Sequence, residues 1–563
     1  MLVDVLRSEG VAHVFGNPGT TELPLIDALA DDAAPAGAAR RQGAEPIHYV
    51  LALQEATAVA MADGYAHVTG RPAFLNLHTS AGLGNAIGNL TNAQANRSPL
   101  VVTAGQQDYR HIATDPLLAG DLVGLARSVS KWTHEVRTAH ELGRMLRRAF
   151  HDAAAPPAGP VFVSLPMDIV DSEGEAGEMA PPAPSTLDGR TVPAADALHD
   201  LAGVLAGAAP SGLAIIAGDE VGASRGGVDA LVRVAEALGA FVYGAPLASA
   251  VAFPTTHPLW QGNLPAAAAG IRGTLEPFDV AFAIGGSPFL VYPYTPGPAL
   301  PPSVELVHLS AAASDVGRVY ATRLGMVGDP GATLAALLPV VRAVVDAATA
   351  GAALEDARRA SGERAASYEQ AARDRYDSGG GPVQPIAAAH ALLANLPPGT
   401  SVVDESITMT GHVRGFVRAE QHGDYLFCKG GGLGWGMPAA LGVSLGRGRE
   451  PVLCIVGDGS AMYSPQALWT AARESLPVVF AVVNNRQYLI LKHALRQREG
   501  AAAANDHYIG MDVVDPAIDY VSLARSMGVD AHVVTRAGDI GDAVKAALAL
   551  GRPSLIEIPV AAR

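Results

Sequence analysis

Residues 451–488 read PVLCIVGDGSAMYSPQALWTAARESLPVVFAVVNNRQY. The apolar runs at 453–456 and 478–483 predict two buried strands. The segment between them predicts a helix, with Ser464 as its N-cap and Pro465 in its first turn. Because strand–helix–strand connections are right-handed, the two strands should be parallel, with their carboxyl ends at one edge of a sheet.

Polar side chains follow both of these strands. Asp458 follows the first strand and Asn485 follows the second, so both should lie at the edge where such sheets bind ligands. A carboxylate, an amide oxygen and a backbone carbonyl, here that of Gln487, are ligands that a hard cation such as Mg²⁺ prefers. The sequence therefore predicts a metal site formed by these three residues.

The residues around Asp458 also suit a diphosphate. Gly457 and Gly459 leave room for backbone N–H groups to approach a phosphate. Ser460 adds a hydroxyl near a helix N-terminus, where anions are favoured. Taken alone, GDG is equally well a tight turn and NN a strand end, but their combination at this spacing favours a metal–diphosphate site.

Apolar strand-like runs alternate with helical patterns along most of the chain, which is typical of parallel sheets covered by helices. The runs lie at 13–16, 49–53, 72–78, 99–105, 160–166, 213–221, 241–246 and 279–288. We predict three doubly wound α/β domains. Their expected bounds are 1–180, 190–345 and 383–563, with a Pro/Ala-rich linker at 179–196 and a linker helix at 346–382.

Charge and composition limit the classes of partner. The 563 residues include 39 Lys and Arg and 55 Asp and Glu, a formal net charge of −16. That excess argues against general affinity for nucleic acid or an acidic membrane. No apolar run reaches the ~20 residues of a membrane span, and the N-terminus lacks a signal-peptide pattern. Cys428 and Cys454 are expected to be free thiols, so we expect a cytoplasmic protein.

These motifs and several others resemble the thiamine-diphosphate-dependent family of 2-oxo acid decarboxylases and acetohydroxyacid synthases, and the benzoylformate decarboxylases most of all. GDG followed by NN is the signature of that family. The similarity also covers FGNPGTTELP (15–24), EATAVAMADGYA (55–66), FLNLHTSAGLGNAIGNL (74–90), PLVVTAGQQ (99–107), SKWTHEV (130–136) and GGLGWGMPAALG (431–442). It is thinnest in the middle domain.

The resemblance implies a pyrimidine-binding N-terminal domain, a Rossmann-like central domain and a diphosphate-binding C-terminal domain, with thiamine diphosphate and Mg²⁺ or Ca²⁺ as cofactors. It places further cofactor contacts at Ile407, Thr408, Gly431, Leu433, Tyr463 and Tyr488. A glycine turn at 431–434 and tyrosines that merely pack are the alternatives. The central segment lacks the pattern G-x-G-x-x-G, so we predict no flavin.

Activation of the cofactor is assigned by the resemblance to Glu55, which would hydrogen-bond the pyrimidine ring of thiamine diphosphate. An acidic residue that merely stabilises a helix N-terminus is the alternative. The family places this glutamate and the diphosphate-binding segment on different subunits. The resemblance therefore implies a homodimer, or a dimer of dimers, with active sites at the interface.

Three other residues complete the predicted catalytic set. His78 matches a histidine that lies near the substrate carbonyl in the family, and an imidazole titrates near neutral pH. Thr20 replaces the family's serine but keeps a hydroxyl for the substrate carboxylate. Tyr292 stands where the family has a second histidine, and a phenol with a pKa near ~10 is a poor proton shuttle at neutral pH.

The rest of the predicted substrate pocket consists of Phe427, Leu489 and Ile490. The two aliphatic residues replace small residues of the family, so the preferred 2-oxo acid is left open. Nearby cations are found at Lys429, Arg486 and Lys492. Solvated surface charge is the favoured interpretation of each, and binding of an anionic substrate group is the alternative.

The implied reaction is the non-oxidative decarboxylation of a small 2-oxo acid to an aldehyde through an enamine intermediate. Tyr292 in place of the second histidine shifts some weight to a carboligase that forms a 2-hydroxy ketone. A non-catalytic homologue that binds the cofactor is the least favoured alternative, because Glu55, Asp458 and Asn485 are all present.

Overall fold

A computed structural model of the chain describes residues 1–37, 43–172, 188–377 and 379–562. Within these ranges the chain forms three six-stranded parallel sheets flanked by helices. The predicted fold class, three doubly wound parallel-sheet domains, is confirmed. Part of the linker predicted at 179–196 and residue 378 of the predicted linker helix lie outside the described residues.

In the N-terminal sheet, the strand that precedes Thr20 and the strand that precedes His78 are neighbours. Its strands are β1 His13–Gly16, β2 His48–Leu51, β3 Ala73–Leu77, β4 Leu100–Gln106, β5 Thr133–Glu135 and β6 Val161–Pro166, in the order β2-β1-β3-β4-β6-β5. Its helices are α1 Leu2–Ser8, α2 Leu23–Ala33, α3 Glu55–Thr69, α4 Thr79–Asn96, α5 Leu122–Ala126, α6 Ala139–Ala154 and α7 Met167–Val170. Short 3-10 turns lie at Thr20–Glu22, Pro35–Gly37, Ile112–Thr114 and Arg127–Val129. Because β1 pairs with β3, the loops that follow them share one edge.

The middle sheet has the strand order of a Rossmann-like fold. Its strands are β7 Leu213–Ala217, β8 Phe241–Gly244, β9 Trp260–Asn263, β10 Val280–Ile284, β11 Glu305–Ser310 and β12 Leu324–Val327, in the order β12-β11-β10-β7-β8-β9. Its helices are α8 Ala195–Ala208, α9 Asp219–Ala223, α10 Gly227–Leu238, α11 Ala268–Leu275 and α12 Pro330–Val344, followed by the linker helix α13 Ala347–Arg373.

The C-terminal sheet carries the stretch at 451–488. Its strands are β13 Ser401–Glu405, β14 Tyr425–Phe427, β15 Val452–Gly457, β16 Val478–Asn484, β17 Asp530–Val533 and β18 Ser554–Pro559, in the order β14-β13-β15-β16-β18-β17. Its helices are α14 Pro385–Leu393, α15 Thr410–Phe416, α16 Gly436–Gly446, α17 Asp458–Ala461, α18 Ala467–Glu474, α19 Leu489–Gln497, α20 Ala501–Ala504, α21 Tyr520–Ser526 and α22 Ala537–Ala549.

The outer two domains share one apolar core, which runs from Phe15 in β1 to Tyr520 in α21. Helices α3 and α16 cross inside it. They touch at Gly64 and Gly442, where an added Cβ would run into the backbone of the other helix. The two main cores of the middle domain contain only its own residues and those of α13. The outer domains therefore form one packed unit. The middle domain has its own main cores and joins that unit through Val251, which packs in an apolar core of the C-terminal domain.

The predicted start of one helix needs correction. The helix after GDG begins at Ala467, and Ser464 does not cap it: the Ser464 hydroxyl is buried without a hydrogen-bond partner. A separate short helix, α17, follows β15 directly.

Helices α12 and α13 meet at a bend of 112°. They pass the length and apolarity test for a membrane span only as this bent pair, and no single described helix passes it.

Candidate active site

The metal–diphosphate motif assembles at the predicted edge. Strands β15 and β16 are parallel neighbours, with Gly457 opposite Val483. Asp458 and Asn485 therefore follow adjacent strand ends. The Tyr520 hydroxyl donates to the backbone carbonyl of Asp458 at 2.8 Å and fixes this turn from beneath. The sequence pattern gave no sign of that contact, because the apolar helical face around Tyr520 predicts only packing.

The oxygen donors at this edge fit a hard cation. The Asp458 carboxylate is buried, and its Oδ2 atom has no hydrogen-bond partner among the described residues. Burial raises the pKa of Asp458, although the N–H groups of Gly459, Arg486 and Gln487 oppose that shift. An orphaned buried carboxylate oxygen is what a bound cation would satisfy. Together with the Asn485 amide oxygen and the Gln487 carbonyl, it suits Mg²⁺ or Ca²⁺.

Within the described ranges, no group of three or more His, Cys, Asp and Glu side chains is arranged to hold a metal ion. A cation at Asp458 would therefore need amide, carbonyl and diphosphate oxygens to complete its shell. Such a shell is typical of Mg²⁺ held with a phosphate ligand. The donor set and the adjacent phosphate-binding glycines thus point to one combined site rather than to a closed metal cage.

Close packing explains the glycines of this motif. A Cβ on Gly459 would lie 2.6 Å from the Tyr488 ring, so the ring covers the turn only because no side chain is there. A Cβ on Gly434 would lie 2.5 Å from Tyr463 in the same way. The predicted GGLG loop and the GDG segment are therefore in contact, and both tyrosines lie at the predicted diphosphate edge. Ser460 is buried in the first turn of α17.

The conformation of the loop at 431–434 depends on its glycines and on hydrogen bonds to its backbone. Gly431 and Gly434 have φ values of 79° and 87°, the left-handed region that favours glycine. Gly432 exchanges two hydrogen bonds with the Asn92 side chain, each 2.9 Å long. Leu433 between them is half-buried. The loop therefore has a fixed shape that exposes Gly431 and part of Leu433, as a cofactor-shaping role requires.

A strained turn follows β13. Ile407 has a φ of 46°, which is unfavourable for a β-branched side chain, and that side chain is 38% exposed. Asp404 builds the turn by accepting from the Ser406 backbone N–H at 2.8 Å and its hydroxyl at 2.6 Å. Thr408 lies half-buried beside them. Strained backbone and exposed apolar surface together are typical of a functional loop.

Glu55 is fixed on the N-terminal domain. It is the first residue of α3 and is 7% exposed. Its two carboxylate oxygens accept from the side-chain amides of Asn17 at 3.1 Å and Asn85 at 3.0 Å. Gly82 packs against it, and a Cβ there would lie 3.0 Å from Oε1. The two amide donors hold the buried Glu55 carboxylate in one orientation. An acidic residue that only stabilised the helix N-terminus would not need such fixed partners.

His78 has a partner that the sequence analysis missed. Its Nδ1 atom lies 2.9 Å from Oε2 of Glu22, a buried carboxylate that also accepts from the Gly19 and Gly105 N–H groups. An ionised carboxylate only accepts, so Nδ1 carries the proton and Nε2 is left free. Glu22 follows the FGNPGTT motif directly. The sequence analysis missed its role because an acidic residue just before a helix is common and indicates no specific partner. Gly19 leaves room for the imidazole ring.

The other predicted catalytic residues lie at the surface of the single chain. Thr20 is exposed in the short turn next to Glu22, on the same edge as His78. Tyr292 lies in the loop after β10 of the middle domain and is 70% exposed. Among the described contacts, its backbone N–H donates to Ala266 and no bond connects it with Glu55 or Asp458.

The predicted pocket residues differ in exposure. Phe427 ends β14 and is buried, with the Arg414 guanidinium 4.8 Å from its ring centre. Leu489 and Ile490 begin α19; Leu489 is buried, whereas Ile490 is 46% exposed. Ile490 is thus the member of this group whose side chain is free to meet a substrate.

Two of the three nearby cations are not solvated surface charges. Lys429 pairs with Asp219 of the middle domain at 2.5 Å, and Lys492 is buried and pairs with Asp512 at 2.5 Å. The expectation of solvation was wrong for both, because each lysine side chain is largely covered and pairs with a carboxylate. Arg486 is exposed, with a left-handed φ of 58°.

The site residues fall into two groups within one chain. Glu55, His78 and Glu22 are held by N-terminal side chains, and Asp458, Asn485 and the 431–434 loop lie on the C-terminal domain. Among the described residues, no hydrogen bond or ion pair joins Glu55 to the Asp458 turn.

Three parts of the chain match described protein families. Residues 1–126 match the thiamine pyrophosphate enzyme N-terminal TPP binding domain. Residues 201–337 match the thiamine pyrophosphate enzyme central domain. Residues 408–558 match the thiamine pyrophosphate enzyme C-terminal TPP binding domain. The three matches follow the three sheets in order.

Full-length relatives agree with these matches. A benzoylformate decarboxylase of Pseudomonas aeruginosa is 36% identical, over 99% of this chain and 97% of that protein. The solved structure of a thiamine diphosphate-dependent 4-hydroxybenzoylformate decarboxylase from Rhodococcus jostii is 32% identical, covers 99% of this chain and 98% of that chain, and has a TM-score of 0.84. An acetolactate synthase large subunit, isozyme 3, of Escherichia coli is 28% identical, over 87% of this chain and 83% of that protein.

Proposed function

Because the chain belongs to the thiamine pyrophosphate enzymes, we propose that it decarboxylates a 2-oxo acid without oxidation and releases an aldehyde. The relatives named benzoylformate decarboxylase or 4-hydroxybenzoylformate decarboxylase match it over nearly their whole length. An aromatic 2-oxo acid is therefore the first substrate class to test. The observation that carries the proposal is the Glu22–His78 pair, which supplies a proton-transfer group next to Thr20.

Binding of the cofactor is assigned to the C-terminal edge. Bound thiamine diphosphate supplies a nucleophilic carbon and a positively charged ring that accepts the electrons released with carbon dioxide. Asp458, Asn485 and Gln487 hold Mg²⁺ or Ca²⁺ by their oxygens. Gly457, Gly459 and Ser460 lie beside these ligands and receive the diphosphate, while Ile407 and Thr408 line the second loop.

The N-terminal edge is assigned the proton chemistry. Glu55, fixed by two amides, would accept a hydrogen bond from the cofactor's pyrimidine ring and so help to hold and activate the cofactor. The free Nε2 of His78 exchanges a proton with the substrate oxygen or the product carbon. Glu22 keeps that nitrogen free by binding the proton on Nδ1. The Thr20 hydroxyl donates to the substrate carboxylate.

Tyr292 favours a second candidate, a carboligase that joins the decarboxylated fragment to a second carbonyl compound. Its phenol is highly exposed and is a poor proton donor to carbon at neutral pH. Slow protonation would leave time for an acceptor to react. The similarity of this chain to the relative named acetolactate synthase supports keeping this second candidate.

One assay separates the two candidates. The purified protein with thiamine diphosphate and Mg²⁺ is offered aromatic, branched and short 2-oxo acids, with and without an acceptor aldehyde, and carbon dioxide is measured. Carbon dioxide released together with an equal amount of aldehyde supports the decarboxylase. Carbon dioxide released together with a 2-hydroxy ketone supports the carboligase, whether the acceptor is the added aldehyde or a second molecule of the 2-oxo acid. No release from any of these acids would contradict both. A colourless protein is expected as well, since flavin is not part of the proposal.

The proposed assembly is a homodimer or a dimer of dimers, with Glu55 and Asp458 of different copies meeting in each site. Exposed apolar side chains at the cofactor edge support it, since such surface in one chain marks an interface. They include Ile407, Met462, Tyr463 and Ile490. A cytoplasmic location also belongs to the proposal, supported by the two buried free thiols.

A further inference from the structure

Glu405 is a buried carboxylate that lies directly against the cofactor-shaping loop. It ends β13 and is 2% exposed. Its Oε1 atom accepts from the backbone N–H groups of Gly434 at 2.7 Å and Trp435 at 3.4 Å. Its Oε2 atom accepts from the N–H of Gly436 at 2.7 Å. One side chain thus holds three consecutive N–H groups at the junction between the 431–434 loop and helix α16.

Neighbouring side chains hold the same segment from other directions. Asn92 binds the Gly432 backbone, as described above. The Trp435 indole N–H donates to Asp63 at 2.7 Å, and Asp63 lies two turns after Glu55 on α3. Asn92 and Asp63 belong to the N-terminal domain, and Glu405 is the support from the C-terminal domain itself. The segment 431–436 therefore has its shape set by contacts, not by the glycines alone.

The backbone bonds of Glu405 are strongest when it is ionised. A carboxylate accepts charge-assisted hydrogen bonds, about twice as strong as neutral ones, and protonation removes that charge. Burial raises the pKa of Glu405 to about 7, although its three N–H partners oppose the shift. The neighbouring Asp404 carboxylate raises the pKa further, and the nearby Cys428 and Cys454 thiols stay neutral because burial raises their own pKa values.

We propose that Glu405 is a positioning residue for cofactor binding: as a carboxylate it holds segment 431–436 in the shape that receives thiamine diphosphate. Protonation of Glu405 removes the charge that strengthens these three hydrogen bonds and so weakens the binding. This inference rests on the proposed cofactor role of the 431–434 loop, and not on which 2-oxo acid is decarboxylated. Cofactor affinity should therefore depend on pH through a group that never touches substrate.

The test compares Glu405→Gln with Glu474→Gln in the full-length protein. Glu474 is also buried in the C-terminal domain, but its partners are His48 and Arg449 instead of the loop. Titration calorimetry with thiamine diphosphate and excess Mg²⁺ is run across the neutral pH range. Because a charged hydrogen-bond network is lost, we expect about tenfold weaker binding by Glu405→Gln above pH 7.

The shape of the pH profile is the decisive readout. Wild type and Glu474→Gln should gain more affinity than Glu405→Gln as pH rises through about 7. Titration of the cofactor's own diphosphate affects all three proteins equally and cancels in the comparison. Equal affinity and equal pH profiles for Glu405→Gln and wild type would overturn the inference, as would an identical loss in Glu474→Gln.

Wild-type protein provides a measurement that needs no variant, should Glu405→Gln fail to fold. Hydrogen exchange of the peptide covering 431–437, corrected for the intrinsic effect of pH, reports the Gly434 and Gly436 amides. Without cofactor, their protection should fall as pH drops below about 7. Constant protection across that range would contradict the role of Glu405. Because neither readout measures turnover, failure here leaves the decarboxylation proposal intact.

Discussion

At the scale of single residues, the environment of a side chain decides its chemistry. His78 would be an ordinary strand-end histidine without Glu22, whose buried carboxylate fixes the proton on Nδ1. Glu55 is likewise set by two amides. In both cases the side chain that could react is oriented by neighbours that come from distant parts of the sequence.

Replacing Glu22 by Gln should lower kcat about 100-fold with little effect on cofactor affinity, because an amide no longer selects the Nδ1–H tautomer. Steady-state kinetics and cofactor titration check this. Glu276→Gln, an exposed change in the middle domain, is the matched control. An unchanged kcat in Glu22→Gln would show that His78 needs no orientation or does not take part.

Titration of Glu405 should make the stability of the cofactor-free protein fall as pH rises. Its pKa is raised from 4.5 to about 7 in the folded state, so folding binds a proton in that interval and stability falls as pH rises through it. The loss should be on the order of 3 kcal/mol.

Urea unfolding of wild type and Glu405→Gln at several pH values measures this difference. The variant should gain stability relative to wild type as pH rises from 4.5 to about 7. Parallel curves would mean that Glu405 titrates normally. Asp63, whose pKa burial raises to about 6, acts in the same direction in both proteins and does not affect the comparison.

Residue-level prediction from sequence worked where a motif names the residue and failed where only geometry does. Asp458 and Asn485 were placed correctly because two parallel strands bring their ends together. Glu22, Tyr520 and the amide contacts of Glu405 were missed. Each acts on a partner 29 to 62 residues away, and no local spacing indicates such a contact.

At the scale of elements, the crossing of α3 and α16 fixes how the two outer domains meet. The contact depends on Gly64 and Gly442, whose missing side chains let two helix backbones approach. Sequence periodicity identified neither helix face, because both helices are buried on nearly every side. The strands were predicted well for the opposite reason: a short continuous apolar run is typical of a central parallel strand.

Gly442→Ala should destabilise the protein by about 2 kcal/mol, although alanine normally favours a helix, because its Cβ collides with the backbone at Met61. Gly362→Ala is the control, since it lies on the exposed helix α13 with open space around it. That change should stabilise by about 0.5–1 kcal/mol. Thermal or urea unfolding measures both, and equal effects would show that α3 and α16 are not in close contact.

At the scale of the whole molecule, the two halves of the site lie on different domains, and among the described residues no hydrogen bond or ion pair joins Glu55 to the Asp458 turn. This separation agrees with the proposed assembly, in which each site takes Glu55 from one copy and Asp458 from another. The sequence predicted three α/β domains, and it predicted the sheet edge for the motif that contains Asp458 and Asn485. It did not predict the shared core of the outer domains, because contacts between distant helices leave no periodic signal.

Mixing two inactive variants tests the proposed assembly. Glu55→Gln and Asp458→Asn should each be inactive alone, but co-expressed chains should recover about a quarter of wild-type activity. Half of the random dimers are mixed, and each of these has one intact site of two. No recovery, despite mixed dimers shown by mass spectrometry, would place both residues of a site on the same chain.

The separate cores of the molecule have a consequence for how such chains diversify. The outer domains share buried side chains, so neither can be exchanged for that of a relative without mismatched packing. The middle domain is joined to them by polar anchors, such as Arg97 with Glu220 and Asp315, and Lys429 with Asp219, and by Val251, which packs in an apolar core of the C-terminal domain. Its own two main cores are separate, so it is the part of the molecule whose exchange would disturb the fewest buried contacts. Recombination that keeps those contact positions could combine the middle domain of a relative with these outer domains. The loop that contains Tyr292 would then change, while Glu55 and Asp458 stayed the same.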